Sequence, residues 1–344
     1  MSRPRRTRAA PVAAGRRRER VVAVAATAAG LCGLGLVVAY ADVGSVVAAI
    51  RPIGAGGFLL VVLAQASLCA PLGAAWWTVA GQPRARLGAF AWASLVAEAA
   101  AALLPFSQVG GAAIGSRAAA VAGVRSRVAV GSNLADITLE LAAQVAFTLA
   151  GAGYLAYEHR LAAGLPVLRA ATLTGVGAAL LLLLALLTAQ KWGLKAVEFA
   201  VGRLAPGAAD PAALTREMRA IYRRPARLAA ALALHLGAWL ASAFGAWLIL
   251  ALIGWPRPFL MVAAMESLLL AVRNAAFMVP AALGVQEGAY LLLAPLLGLP
   301  SSTVIALSLL KRGRDVAIGV PALVSWQLLE VRRHLRRRPA GRPT

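Results

Sequence analysis

Cysteine, histidine, acid and aromatic residues are all scarce in this 344-residue chain, and each scarcity removes a class of function. The two cysteines, Cys32 and Cys69, lie in apolar runs and form no CxxC pair, so neither a disulfide framework nor a thiolate metal site is expected. His159, His235 and His334 are scattered, with no HExxH pattern, which leaves zinc without a ligand set. No GxxxxGK[ST] loop occurs, so no built-in nucleotide motor is expected, and no cofactor of any kind is predicted. Aromatics make up 6% and none is interleaved with the basic runs at the two ends, which argues against a single-stranded nucleic-acid partner. Charged residues reach only 14%, against the quarter usual for soluble domains, and that excludes a soluble protein.

What fills the chain is aliphatic: 60% of residues are hydrophobic and mean hydropathy is +0.75. Ala, Leu, Val and Gly form runs long enough to cross a hydrocarbon core of roughly 30 Å. The predicted fold is therefore all-α, a polytopic integral membrane protein. Full spans read as Val21–Ala41, Gly57–Val79, Leu87–Leu104, Val128–Gly153, Val167–Ala189, Leu228–Ile253, Phe259–Val279 and about Ser302–Leu329. The first ends in Ala39-Tyr40-Ala41, which resembles a signal-peptide cleavage site, but it is too long for the usual apolar region of such a signal. Two shorter stretches, Pro105–Val124 and Pro280–Leu299, are broken by Pro and Gly and read as hairpins. One transmembrane domain, 21–331, is expected between basic tails at 1–20 and 332–344.

The 35 basic residues outnumber the 13 acids and give a net charge of +22, but they lie in blocks. If Pro105–Val124 crosses the membrane, the segments at Arg84/Arg86, Arg125/Arg127 and Lys191–Arg227 fall on the same side as both termini. The positive-inside rule favours that arrangement, which puts both termini in the cytoplasm, with anionic lipid headgroups against the basic faces. A segment within 190–227 carries Trp192 and Phe199 beside Lys195 and Arg203, and is expected to lie along that surface.

The remaining charges sit at membrane depth, where each costs roughly 2.5–3.5 kcal/mol and needs a partner or a task. Pro105 and Pro280 stand 175 residues apart, and at that offset Glu140 falls on Asp315, Asp136 on Lys311 and Glu98 on Arg273. Each half reads as a span with a charge, a broken hairpin, and a span with two ionisable groups four residues apart. Since one half starts inside and the other outside, an inverted repeat with a polar site between its halves is expected. Coincidence in an Ala/Leu-rich chain is the rival account.

Ser132, Asp136, Glu140 and Gln144 form one helical stripe that must face protein or water. Lys311 and Asp315 are an i,i+4 pair, and Asp136/Glu140 are expected to meet Lys311/Arg314 across the repeat, as structural glue or as the lining of a hydrated path. In PFSQVGGAAIGSR, Gln108, Gly110 and Gly111 offer backbone freedom and free amides to an anion, with Arg117 supplying charge. In PAALGVQEGAY the counterparts are Gln286, Glu287 and Gly288; Glu287 is either ligand-facing or the acidic cap of a helix N-terminus. Glu266, Arg273 and Asn274 share a face at i, i+7 and i+8, and Glu98 paired with Arg273 is the plain structural account of both.

The blocks LLPFSQVGG with Arg117, LADITLELAAQVAFTLAG, and PAALGVQEGAY leading to ALSLLKRGRDVAIGVPALVSWQ resemble the transmembrane, flippase-like part of lysylphosphatidylglycerol synthases. Within that superfamily the chain is most similar to the hopanoid-biosynthesis-associated membrane proteins. The resemblance implies an inner-membrane fold with two broken-helix repeats, lipid handling, and transport of a hopanoid or phospholipid rather than enzymatic chemistry. It also implies enzymes of hopanoid or lipid biosynthesis as partners, which keeps open a second role as a scaffold for them. Ala112 stands where the pattern commonly has an acid, so no carboxylate role is expected in the first hairpin. With 13 residues from Arg332 onward, the soluble aminoacyl-transferring domain of the synthases is expected to be absent.

Overall fold

Runs rich in Ala and Leu with no period-two alternation satisfy their backbone bonds within the segment, as a membrane interior requires, and the chain folds accordingly. The computed structural model describes residues 43–104, 107–161, 219–275, 282 and 284–337, which are helical apart from short connections. In chain order the helices are α1 (Val43–Ile50), α2 (Gly54–Ala66), α3 (Cys69–Ala80), α4 (Leu87–Leu103), α5 (Ser107–Val121), α6 (Ser126–Leu161), α7 (Pro225–Leu252), α8 (Phe259–Ala275), α9 (Val285–Leu297) and α10 (Ser301–Arg337). The expected spans Val21–Ala41 and Val167–Ala189, most of the segment 190–227, and both tails apart from residues 332–337 lie outside the described residues.

Among the described residues three stretches are long and apolar enough to cross a membrane: Val47–Ala80, Ser126–Glu158 and Pro225–Leu252. Side chains on the outside are correspondingly apolar. Along α10, Val316, Val320, Val324 and Leu328 recur every four residues and are each about half exposed, a stripe suited to lipid.

Two expectations about local structure are corrected. The span read as Gly57–Val79 is not one helix: it breaks at Ser67 and Leu68, where Leu68 N donates to Gln65 O at 3.1 Å and Ser67 Oγ back-bonds Ala64 O at 2.7 Å. Nor are the two Pro/Gly stretches internally broken hairpins. Most of the described residues of each stretch form one continuous short helix, α5 in one case and α9 in the other. Gly110 and Gly111 therefore sit in helical backbone. Gly111 is there because a Cβ would come within 2.9 Å of Ala97 O on α4, which is a packing role and not an open anion-binding loop.

The core comprises two helix triplets, α4–α5–α6 and α8–α9–α10, with α7 running between them. The first helix of each triplet packs on the third helix of the other, α4 on α10 and α6 on α8. Glycines permit both approaches: a Cβ at Gly151 would meet Ser267 and Ala264, and one at Gly319 would meet Leu103 and Ala99. The triplets also enter from opposite ends. Arg86, just before α4, donates to Ala122 O just after α5 at 3.3 Å, so this pair starts and finishes at one end. Arg257, just before α8, donates to Leu297 O at 2.7 Å and Gly298 O at 3.0 Å, closing α8–α9 at the other end, which α7 reaches only after its 28 residues.

The first end is the basic one. Arg84, Arg86, Arg125, Arg127, Arg223, Arg224 and Arg227 all lie there; Arg224 and Arg227 approach Gly81, and Arg333 of α10 donates to Ala120 O at 2.9 Å. Loops grouped in this way are what the distribution of charge requires if the first broken stretch returns the chain to its starting side.

Candidate functional site

Between the triplets lies a cavity of about 220 Å³. The short helices α4 and α8 end inside the bundle, and α4, at 17 residues, rises only about 26 Å. Their ends, together with the break between α2 and α3, leave space that helices α6, α7 and α10 wall in. Eight of the expected residues meet on this wall: Glu98, Glu140, Glu266, Arg273, Asn274, Lys311, Arg314 and Asp315. A second cavity of about 100 Å³ adjoins it and shares Glu98, Glu140 and Gln144; Asp136 and His235 line only this smaller one.

The polar stripe on α6 faces protein along its whole length, as expected. Ser132 accepts from Trp76 Nε1 at 2.8 Å, Asp136 Oδ1 lies 3.0 Å from His235 Nε2, Glu140 lines both cavities, and Gln144 accepts from Asn274 at 2.7 Å. The expected pairing of Asp136/Glu140 with Lys311/Arg314 does not form. Asp136 takes His235 on the neighbouring α7 instead, while Lys311 is ion-paired with Glu266 and donates to Tyr290 Oη at 2.8 Å. Tyr290 in turn donates to Glu266 at 2.5 Å, which closes a triangle across α8, α9 and α10. Local packing wins because each buried charge takes the nearest partner that also satisfies its hydrogen bonds. For the same reason Asp315 pairs with its neighbour Arg314, at 3.0 Å, and not with Lys311. Glu98 and Arg273 line one cavity without forming an ion pair among the described residues.

The remaining expected residues lie elsewhere. Arg117 is on the outer side of α5, ion-paired with Glu330 of α10 and 43% exposed at its side chain, so it supplies no charge to the cavity. Glu287 is fully buried and fully engaged: it accepts from Arg312 at 2.7 and 3.1 Å, from Ser308 Oγ at 2.8 Å and from Gly284 N at 2.9 Å. It is a helix N-terminal cap and an ion-pair partner, not part of the cavity wall. Gln286 donates to Ser308 Oγ at 2.7 Å, and Gly288 N bonds Gly284 O within the first turn of α9. Gln108 is on α5, with its side chain outside the described residues.

Several functional groups were not singled out from sequence. His235 belongs to no metal-binding motif, but an ionisable residue in the middle of an apolar span is itself a signal. Gln65 and Trp239 also line the main cavity. Three buried polar atoms on this wall have no hydrogen-bond partner: Gln65 Oε1, Trp239 Nε1 and Arg314 Nη1. Leaving such groups unmade costs about 1–3 kcal/mol each, more for a charged one, so they are features to be explained by what occupies the space.

Apart from the acids Glu266 and Asp315, which are ion-paired to Lys311 and Arg314 on the second triplet, the wall separates by sign. Glu98 and Glu140 stand on α4 and α6, and Arg273 and the unpartnered arm of Arg314 on α8 and α10. Among the described residues no group of three or more His, Cys, Asp and Glu is placed to hold a metal ion. A family model described as lysylphosphatidylglycerol synthase TM region matches residues 21–322. No curated protein and no solved structure matches the chain.

Proposed function

The chain belongs to the lysylphosphatidylglycerol synthase TM region family, and from that premise we propose that this multi-pass membrane protein of lipid handling moves a lipid across the bilayer. The lipid's polar head passes through the cavity between the two triplets while its tails stay in the hydrocarbon. The observation that carries this reading is the set of unpartnered donors on the cavity wall. Arg314 Nη1 and Trp239 Nε1 are buried, aimed at no protein acceptor, and stand with Arg273 in a space lined by lipid-depth helices. A phosphate or comparable anionic head would satisfy them, and charge-assisted bonds of that kind are the strong ones. The opposed sense of the triplets and their reciprocal packing support an inverted repeat, in which rocking of one half against the other opens the site to alternate sides. The basic end is cytoplasmic on this reading, in the inner membrane, and the lipid is a hopanoid or a phospholipid.

The test is reconstitution of the full chain into phosphatidylcholine vesicles carrying trace fluorescent phosphatidylglycerol or a labelled hopanoid. Exchange between leaflets, read by quenching of the outer leaflet, is expected to exceed that of protein-free vesicles for at least one probe. No acceleration for any of them sinks the reading.

The arginines of the basic end favour a second reading, a scaffold that holds soluble lipid-modifying enzymes. A scaffold loses function on removal of residues 332–344 and keeps it in Asp136→Asn; a transporter does the reverse.

A further inference from the structure

The smaller cavity gathers acid with no base bonded to it other than one imidazole. Asp136 and Glu140 reach it from α6, Glu98 from α4, and His235 from α7. His235 is 1% exposed; one ring nitrogen is held by Asp136 at 3.0 Å and the other, Nδ1, is buried without a partner. A buried imidazole beside three carboxylates, with a ring nitrogen to spare, is a group that takes up and releases protons. Metal binding is the other use of such a set, and no metal-ligating cluster is found among the described residues. Glu98 and Glu140 also stand on the wall of the main cavity, across which lie Arg273 and Glu266 of α8 and Lys311, Arg314 and Asp315 of α10, while Cys69 of α3 flanks Glu98.

We propose that Asp136, His235, Glu98 and Glu140 form a proton-binding site that couples lipid movement to a proton gradient. The inference rests on the transport reading. Its sign follows from the geometry. With the acids ionised, Glu98 and Glu140 offset the positive charge of Arg273 and Arg314 across the cavity, and an anionic head is held weakly. When a proton enters the cluster, the acid wall loses a negative charge and the bases are left for the anion. Proton and anionic head therefore favour each other's binding, and by linkage each strengthens the other equally. They cross together, and the proton leaves to water when the head does; no covalent bond is made or broken.

The experiment uses the full chain in phosphatidylcholine vesicles with trace fluorescent phosphatidylglycerol and an imposed pH difference, each result compared with protein-free vesicles. The expected result is depletion of the probe from the leaflet on the acidic side, lost in Glu98→Gln and in Glu140→Gln. Exchange that is fast but ends at the same distribution with and without the gradient overturns the coupling and leaves the transport reading standing. Absence of exchange sinks the transport reading and the coupling with it, while the proton site is judged separately by histidine NMR in detergent. With three histidines in the chain, His235 is assigned by His235→Gln. Its titration midpoint is expected to move by on the order of one pH unit in Glu98→Gln or Glu140→Gln. A midpoint that neither variant moves means that His235 is only a partner for Asp136, and the site does not exist.

Discussion

Asn133 and Ser308 occupy matching places in the two triplets, 175 residues apart, and perform the same task with different chemistry. Each stands on the third helix and ties down the short second helix. Asn133 does so through neutral bonds of 2.8 Å to Ala112 O and Ser116 Oγ of α5. Ser308 sits inside an ionic lock, accepting from Gln286 and donating to Glu287, which Arg312 holds from one turn further along α10. Beside it, Lys311, Glu266 and Tyr290 form a second charged knot, whereas Asp136 at the place matching Lys311 has only His235. In the second triplet, then, charge is largely consumed in holding helices together. The first is held by small side chains and neutral bonds, which leaves Glu98 and Glu140 without ion-pair partners among the described residues. A shared layout is thus compatible with a division of labour, one half as frame and the other as the responsive wall.

The largest effect should come from breaking the frame. Glu287→Ala removes the buried carboxylate that Arg312, Ser308 and the amide of Gly284 all bond and is expected to destabilise the fold by about 3–5 kcal/mol. Asn133→Ala removes neutral bonds and should cost about 1–3 kcal/mol. Unfolding in detergent, followed for the two variants side by side, reads the difference; equal costs would mean that the triplets are not held by different means. Next comes the contact between triplets. A side chain at Gly151 would lie 3.0 Å from Ala264 Cα and closer still to Ser267 Oγ, so Gly151→Leu should cost about 1–3 kcal/mol or more and slow lipid exchange. If exchange and stability both survive, α6 and α8 are not a tight pair. The smallest effect belongs to Arg117→Ala: its exposed bond to Glu330 is worth no more than about 1 kcal/mol, and the exchange rate should not change. A large drop there would return Arg117 to the functional site from which the structure removes it.

Much of this was legible in the sequence because membrane depth makes charge conspicuous. The stripe Ser132–Asp136–Glu140–Gln144 and the face Glu266–Arg273–Asn274 follow from helical spacing alone, and each points where spacing says it must. Partner choice was not legible. Asp136 and Lys311 were matched by symmetry and opposite sign, yet each found a nearer partner on an adjacent helix, which no single-helix pattern reveals. Arg312 lies one residue from Lys311 and so about 100° around the helix, and that rotation decides that it meets Glu287 while Lys311 meets Glu266. Paired glycines suggested an open loop, but both lie in helical backbone and one of them, Gly111, serves close packing on α4. The break at Ser67 did have a signal, Pro71 four residues on, which has no N–H to bond Ser67 O, but inside so apolar a run it did not divide the span.

The central claim is that the cavity between the triplets holds the lipid head. Its most direct test is the rate of leaflet exchange of fluorescent phosphatidylglycerol for wild type and Arg273→Gln in matched vesicles, with unfolding measured on the same preparations. Arg273 lines the cavity and makes no ion pair among the described residues, so the substitution should leave stability within about 0.5 kcal/mol. The expected result is exchange slowed about tenfold or more, the loss of one charge-assisted bond to the head. Equal rates in the two proteins, with both folded, would contradict the claim.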